Sequence, residues 1–159
     1  MKSRSQIASL LAILTLAFVV TTFGPAAEGQ ARANFQGVWD WAVYPSSRKE
    51  LPPAYRNEPL KSVPVANISL QLKQRGNKLT GEYSGSAHYL ARVEDGELEA
   101  TVKGNNATLE LTSGFGGEVT VLLTMRGKRL YWKLIKSEGE HYFPDDVYLH
   151  RVIKRRKRR

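Results

Sequence analysis

The sequence predicts an all-β fold, an antiparallel up-and-down β-barrel of about eight to nine strands, from three observations. From Val65 onward apolar and polar residues alternate with a period of two, the pattern of strands that bury one face. Tight-turn sequences such as Gly76-Asn77 and Gly104-Asn105-Asn106 recur between these runs, at hairpin spacing. No stretch carries a convincing helical period. Each strand has one apolar face, so the sheet must close on itself or cover that face with a second sheet.

The chain begins with Lys2 and Arg4, runs apolar over 17 residues from Ile7 to Phe23, and reaches small residues at Ala31-Arg32-Ala33. A basic start, an apolar stretch and a small-residue site make a signal peptide over residues 1–33, cleaved before Asn34, with Pro25-Ala26-Ala27 as a second candidate site. A retained single-pass anchor is the alternative, because ~17 apolar residues is the short limit for spanning a bilayer. Small residues follow the run and no basic stop-transfer cluster does, which favours cleavage. The expected location is secreted or periplasmic. There is no cysteine, so a lipid-anchored lipoprotein and a disulfide framework are both excluded, and the domain must be held by its core. The 126 residues left after cleavage make one domain by length.

Phe35 to Tyr44 reads as an aromatic-rich first strand. Pro45, Pro52, Pro53, Pro59 and Pro64 then hold a long extended connection that cannot be helical. Ile68, Leu70 and Leu72 alternate with Ser69, Gln71 and Lys73 up to Gly76-Asn77. Leu79 and Tyr83 alternate with Thr80, Glu82 and Ser84, and Gly81 falls at an inward position where a barrel wall can bend. Ala87 to Glu94 reads as a strand of its own that turns at Asp95-Gly96. Leu98, Ala100 and Val102 then oppose Glu97, Glu99 and Thr101, and past Gly104 the residues Ala107, Leu109 and Leu111 oppose Thr108, Glu110 and Thr112. Gly114-Phe115-Gly116-Gly117 leads into Val119, Val121, Leu123 and Met125, and Arg126-Gly127-Lys128 leads into Leu130, Trp132 and Leu134. A loop from Ser137 to Asp146 precedes a last strand from Val147 to Ile153.

The formal charge of +9 changes meaning once it is located. The excised segment holds three cations and Glu28, and the run Lys154, Arg155, Arg156, Lys157, Arg158 and Arg159 supplies six more cations, which leaves residues 34–153 at +1. The expected barrel domain, 34–153, is thus near neutral and the basicity is a disordered tail over 154–159. Nucleic acid is not an expected partner for a chain with an export signal. Electrostatic contact of the tail with an anionic surface is the functional reading, and a merely solvated terminus is the plain one.

Gly37-Val38-Trp39 near the start of the first strand, with Tyr148-Leu149-His150-Arg151 in the last apolar run, resembles the Gly-X-Trp and late Arg pattern of the lipocalin-like (calycin) superfamily. The likeness is to its small bacterial secreted members. The resemblance implies a barrel whose floor is sealed by Gly37, Trp39 and Arg151, the guanidinium stacking on the indole. Such a contact gains roughly 0.5 to 2 kcal/mol. The chain departs from the pattern in having no Thr-Asp-Tyr segment between late strands and no helical pair after the first strand, so ligand identity does not carry over.

No catalytic constellation is visible. His88, His141 and His150 are not spaced as metal ligands, and Ser84-Gly85-Ser86 is not a nucleophile elbow. Glu140-His141 with Asp145-Asp146 is the one carboxylate and imidazole cluster, and it reads as a solvated loop. No cofactor and no metal are expected. The expectation is a non-enzymatic exported binding protein. Trp41, Tyr83 and Trp132 are candidates to line a pocket for a small apolar molecule, with the filling of a small solid barrel as the plain and favoured reading. Phe115, on a glycine-rich hairpin, is the aromatic expected to be exposed, as a contact for a protein partner or membrane or folded back over the mouth. Two alternatives stand beside it: a macromolecule-binding or hydrolase-inhibiting envelope protein that uses rim loops, and a structural envelope protein. A pocket needs space inside, toward which Gly81 and Ala100 lean; an inhibitor needs a dry core and a projecting loop, toward which Gly114 to Gly117 lean. The sequons at Asn67 and Asn106 are assigned no role.

Overall fold

The computed structural model describes residues 33–153, so the expected signal up to residue 32 and the basic tail at 154–159 lie outside the described residues. Eight strands, β1 (Gly37–Val43), β2 (Ala66–Arg75), β3 (Lys78–Ala87), β4 (Arg92–Lys103), β5 (Asn106–Thr112), β6 (Glu118–Arg126), β7 (Arg129–Glu138) and β8 (Asp146–Arg151), form a closed barrel in sequence order. Every neighbouring pair is antiparallel, and β8 returns to β1 through Trp39↔Arg151 and Asp40↔His150. The starts of β1, β3, β5 and β7 therefore lie with the ends of β2, β4, β6 and β8 at one end, here termed the floor. The other end is the mouth.

Alternation puts Ile68, Leu70 and Leu72, then Leu109 and Leu111, then Val119, Val121 and Leu123, into one contiguous buried cluster with Trp39, Leu130, Trp132 and Leu149. Burial of each such side chain is worth ~1.5 to 3 kcal/mol, which is what holds a chain without disulfides.

Three local readings need correction. The strand count is eight because Asp95-Gly96 is not a turn: β4 runs straight through it, with Gly96 paired to Tyr83. A Cβ on Gly96 would lie 2.7 Å from the Tyr83 hydroxyl and 2.9 to 3.0 Å from its ring, so the glycine is there to let the tyrosine lie across the strand. The reversal comes earlier, at residues 88–91, where His88, Tyr89 and Leu90 all adopt positive φ (52°, 58° and 69°). Second, the connection after β1 does contain helical turns, two 3₁₀ segments at Pro53–Tyr55 and Leu60–Ser62. Proline at the first position of a turn loses no hydrogen bond. Third, Gly81 does not leave room inside: a Cβ there would lie 2.1 Å from the Gln71 carbonyl oxygen, so the backbone of β2 occupies that position. The loop before the last strand is also shorter than expected, since β7 reaches Glu138, and β8 ends at Arg151 rather than Ile153.

The wall is uneven at one seam. β4 and β5 are paired only next to the floor, at Val102↔Ala107 and Lys103↔Asn106. Farther up, Glu97 and Glu99 of β4 and Glu110 of β5 line a groove of about 540 Å³ together with Glu82 and Leu98.

Candidate functional site at the two ends of the barrel

The floor is built from the residues that enter β1. Phe35 and Trp39 are buried, and the Trp39 indole N–H donates to the Phe35 carbonyl at 2.8 Å. The Phe35 N–H donates to Gln74 Oε1 at 2.8 Å, and Gln74 Nε2 donates to the Ala33 carbonyl at 3.1 Å. Arg151 lies with its guanidinium carbon 4.6 Å from the centroid of the Trp39 ring, and its Nη2 donates to the Asn34 carbonyl at 2.9 Å. Gly37 holds φ at +134°, and a Cβ there would stand 3.5 Å from Arg151 Nε. Gly37, Trp39 and Arg151 are thus in mutual contact range. The short segment 33–36 is tied to β2 and to β8 by their side chains.

The mouth is organised by Glu94, which is 1% exposed. Its carboxylate accepts from Ser113 Oγ (2.7 Å), the Gly114 N–H (3.0 Å) and the Tyr142 N–H (3.0 Å). One side chain of β4 therefore ties the β5–β6 turn and the β7–β8 turn together above the parted seam. Tyr83 closes the same seam from within, donating from its hydroxyl to the Thr112 carbonyl at 2.9 Å. Burial, with Glu94 and Asp95 nearby, raises the Tyr83 phenol above its ordinary value.

Phe143, on the β7–β8 turn, sits over the interior as a plug. Its ring meets Tyr83 edge-on at 5.6 Å and Trp132 at 6.2 Å, and the Trp132 indole N–H donates to the Pro144 carbonyl at 2.8 Å. Two of the three expected pocket residues, Tyr83 and Trp132, are therefore buried beneath it. Trp41 is half-buried against the same cluster. The three are core packing here.

Phe115 stands at the rim, 36% exposed, with its ring edge-on to Tyr142 at 4.9 Å. The Arg92 guanidinium lies 5.6 Å from the Phe115 centroid and 5.4 Å from that of Tyr142, and His88 meets Tyr142 at 5.6 Å. Tyr44 at the end of β1 is more exposed than Phe115, and Leu90 and Val93 are open as well. The expected cluster in the last loop is dispersed: Glu140 accepts from the Tyr142 hydroxyl, His141 stacks on Phe143, and Asp146 accepts from the Tyr131 hydroxyl. Among the described residues no group of three or more His, Asp or Glu is placed to hold a metal ion.

The sequence alone does not mark Glu94, Phe143, Tyr142 or Arg92 as site residues. Glu94 had a signal: it shares the parity of Leu98, Ala100 and Val102, and continuing that alternation through Asp95-Gly96 places it inward. Phe143 had none, because it follows no strand period.

No protein-family model matches the chain, and neither does any curated protein or solved structure. The class of molecule is set by its own geometry: a closed eight-stranded antiparallel barrel, tied across its floor and plugged at its mouth.

Proposed function

We propose that this chain is an exported, non-enzymatic binding protein of lipocalin-like kind, in which the barrel is a packed scaffold and the rim of the mouth contacts a macromolecular partner. The observation that carries the reading is the contrast between interior and rim. Phe143, Trp132 and Tyr83 fill the space below the mouth, whereas Val43, Tyr44, Leu90, Val93 and Phe115 are exposed around it. Exposed apolar residues grouped in one region mark interaction surfaces more often than scattered ones do. The left-handed turn at His88, Tyr89 and Leu90 supports the same region, since strained backbone concentrates at sites of function. The lipocalin-like kinship rests on the stacking of Arg151 on Trp39 beside Gly37.

The test is site-specific photo-crosslinking in the producing cells, with the photoreactive residue at Leu90, at Val93 or, as a reference, at Gln71, exposed midway along β2. Discrete adducts at the two rim positions, abolished by Phe115→Ser, are expected. Adducts that appear equally at Gln71, or none at the rim, contradict the proposal.

A second reading, a small apolar ligand, is favoured by one feature: Phe143 belongs to a turn and not to the wall, so its withdrawal exposes Tyr83 and Trp132. That reading requires a bound small molecule in protein purified from its own cells.

A further inference from the structure

We propose that the floor end of the barrel is a docking face for an anionic lipid bilayer, which holds the mouth turned away from the membrane. The floor hairpins and their flanking residues, 75–78, 103–106 and 126–129, carry six cations and no carboxylate. They are Arg75 and Lys78 at the first hairpin, Lys103 at the second, and Arg126, Lys128 and Arg129 at the third. At the mouth, the stretches 87–92, 112–118 and 138–146 carry Arg92 alone against five carboxylates, and the longer connection 44–65 adds four cations and two carboxylates, so the mouth sums to −2 against +6 at the floor hairpins. A domain that is near neutral by sum is therefore polarised along its axis. Because the three hairpins and the end of β8 rim one end of a cylinder, a flat anionic surface meets them together, and each cation within a Debye length adds to the attraction.

Two arginines are held in place by aromatic rings. The Arg126 guanidinium lies 4.1 Å from the Tyr131 centroid and donates to the Tyr148 hydroxyl at 2.8 Å, and the Arg129 guanidinium lies 4.4 Å from the Tyr148 centroid. Among the described residues only Lys78 of the six is paired with a carboxylate, Glu99 at 2.8 Å. A cleft of about 650 Å³ opens between the third hairpin and the end of β8, with Lys128, Arg129, His150 and Arg151 on its walls and Met125 and Ile153 as apolar lining. Val152 and Ile153 are exposed at the same end, Ile153 at 82%, and the six cations of 154–159 follow them directly in the chain. Apolar side chains among cations suit the headgroup and acyl boundary of a bilayer. A nucleic acid offers the anions but no apolar layer for Ile153, so lipid is the better match.

The experiment is co-sedimentation of the exported, processed chain with phosphatidylcholine vesicles, with and without about one-third phosphatidylglycerol. Binding that needs phosphatidylglycerol and weakens with salt is expected. The triple variant Lys103→Gln, Lys128→Gln, Arg129→Gln, with the tail intact, is expected to bind on the order of a hundredfold more weakly, and Lys128→Gln alone about fivefold. Deletion of 154–159 should weaken binding and leave it salt-sensitive. Lys136→Gln, near the mouth, should change nothing. The proposal is overturned if the triple variant binds as the parent does, if neutral vesicles bind equally well, or if duplex DNA binds more tightly than the anionic vesicles.

Discussion

Trp39 and Arg151 are joined by stacking, by strand pairing and by a shared set of backbone acceptors in segment 33–36. Removing the indole opens a buried volume, so Trp39→Ala is expected to cost about 3 to 5 kcal/mol. Arg151→Ala removes a half-solvated stack and one hydrogen bond, at about 1 to 2 kcal/mol. Chemical denaturation measures both, and equal costs for the two would contradict this division. Glu94 is a different kind of residue, since its loss strands three donors. Glu94→Ala is expected to cost about 3 kcal/mol or more and to raise amide exchange in the 113–117 and 139–145 turns. Glu94→Gln, which keeps one acceptor oxygen, should cost less. Tyr83 contributes an alkaline pH dependence: its phenol is raised in the folded barrel, so its contribution is complete below the unfolded value near 10 and is lost as pH rises through the higher folded value. The denaturation midpoint should therefore fall above pH about 10, and Tyr83→Phe should lose less over the same range. At this scale the sequence exposed Trp39 and Arg151 because they belong to an aromatic and cationic pattern near the two ends. Glu94 was hidden by its charge, which argues for an outward position until its three donors are known.

The strands that read correctly are those whose polar face is unambiguous. β2, β5 and β6 alternate cleanly and end at glycine turns, so period and punctuation agree. β3 and β4 misled because turn chemistry and turn position part company there. Asp95-Gly96 has hairpin residues but serves Tyr83, while the true reversal uses His88, Tyr89 and Leu90, residues with no intrinsic preference for positive φ. Two consequences follow at the level of these elements. Gly96→Ala should destabilise by about 1 to 3 kcal/mol through collision with the Tyr83 ring, and a double-mutant cycle with Tyr83→Leu should show most of that cost disappearing. Tyr89→Gly should stabilise the barrel by about 1 kcal/mol by relieving left-handed strain, while weakening contact at the rim if the turn's shape is what the partner meets. In β7 the pairing slips between Thr120 and Val121, leaving Ile135 as the extra residue on the bulged strand. That explains why Ile135 is half-exposed within an otherwise apolar run.

Across the whole molecule, the sequence sum of +1 for the folded domain concealed an axial separation of charge. Sums discard position, and only the strand order reveals that alternate hairpins share an end. The same is true of the interior. Composition supplies enough aromatic side chains for either a pocket or a solid core, and the choice is made by Phe143, whose place over Trp132 depends on Glu94 and on the Trp132 bond to Pro144. The picture that results is a packed barrel with a cationic floor and an apolar, acid-flanked rim. Native mass spectrometry of the protein purified from its own cells tests the central claim, that the interior is scaffold and the rim is the contact. The expected spectrum has no retained small molecule and a partner complex that is lost in Leu90→Ser and Phe115→Ser variants of unchanged stability. A stoichiometric small molecule that disappears on Trp132→Ala and survives the rim substitutions would contradict it.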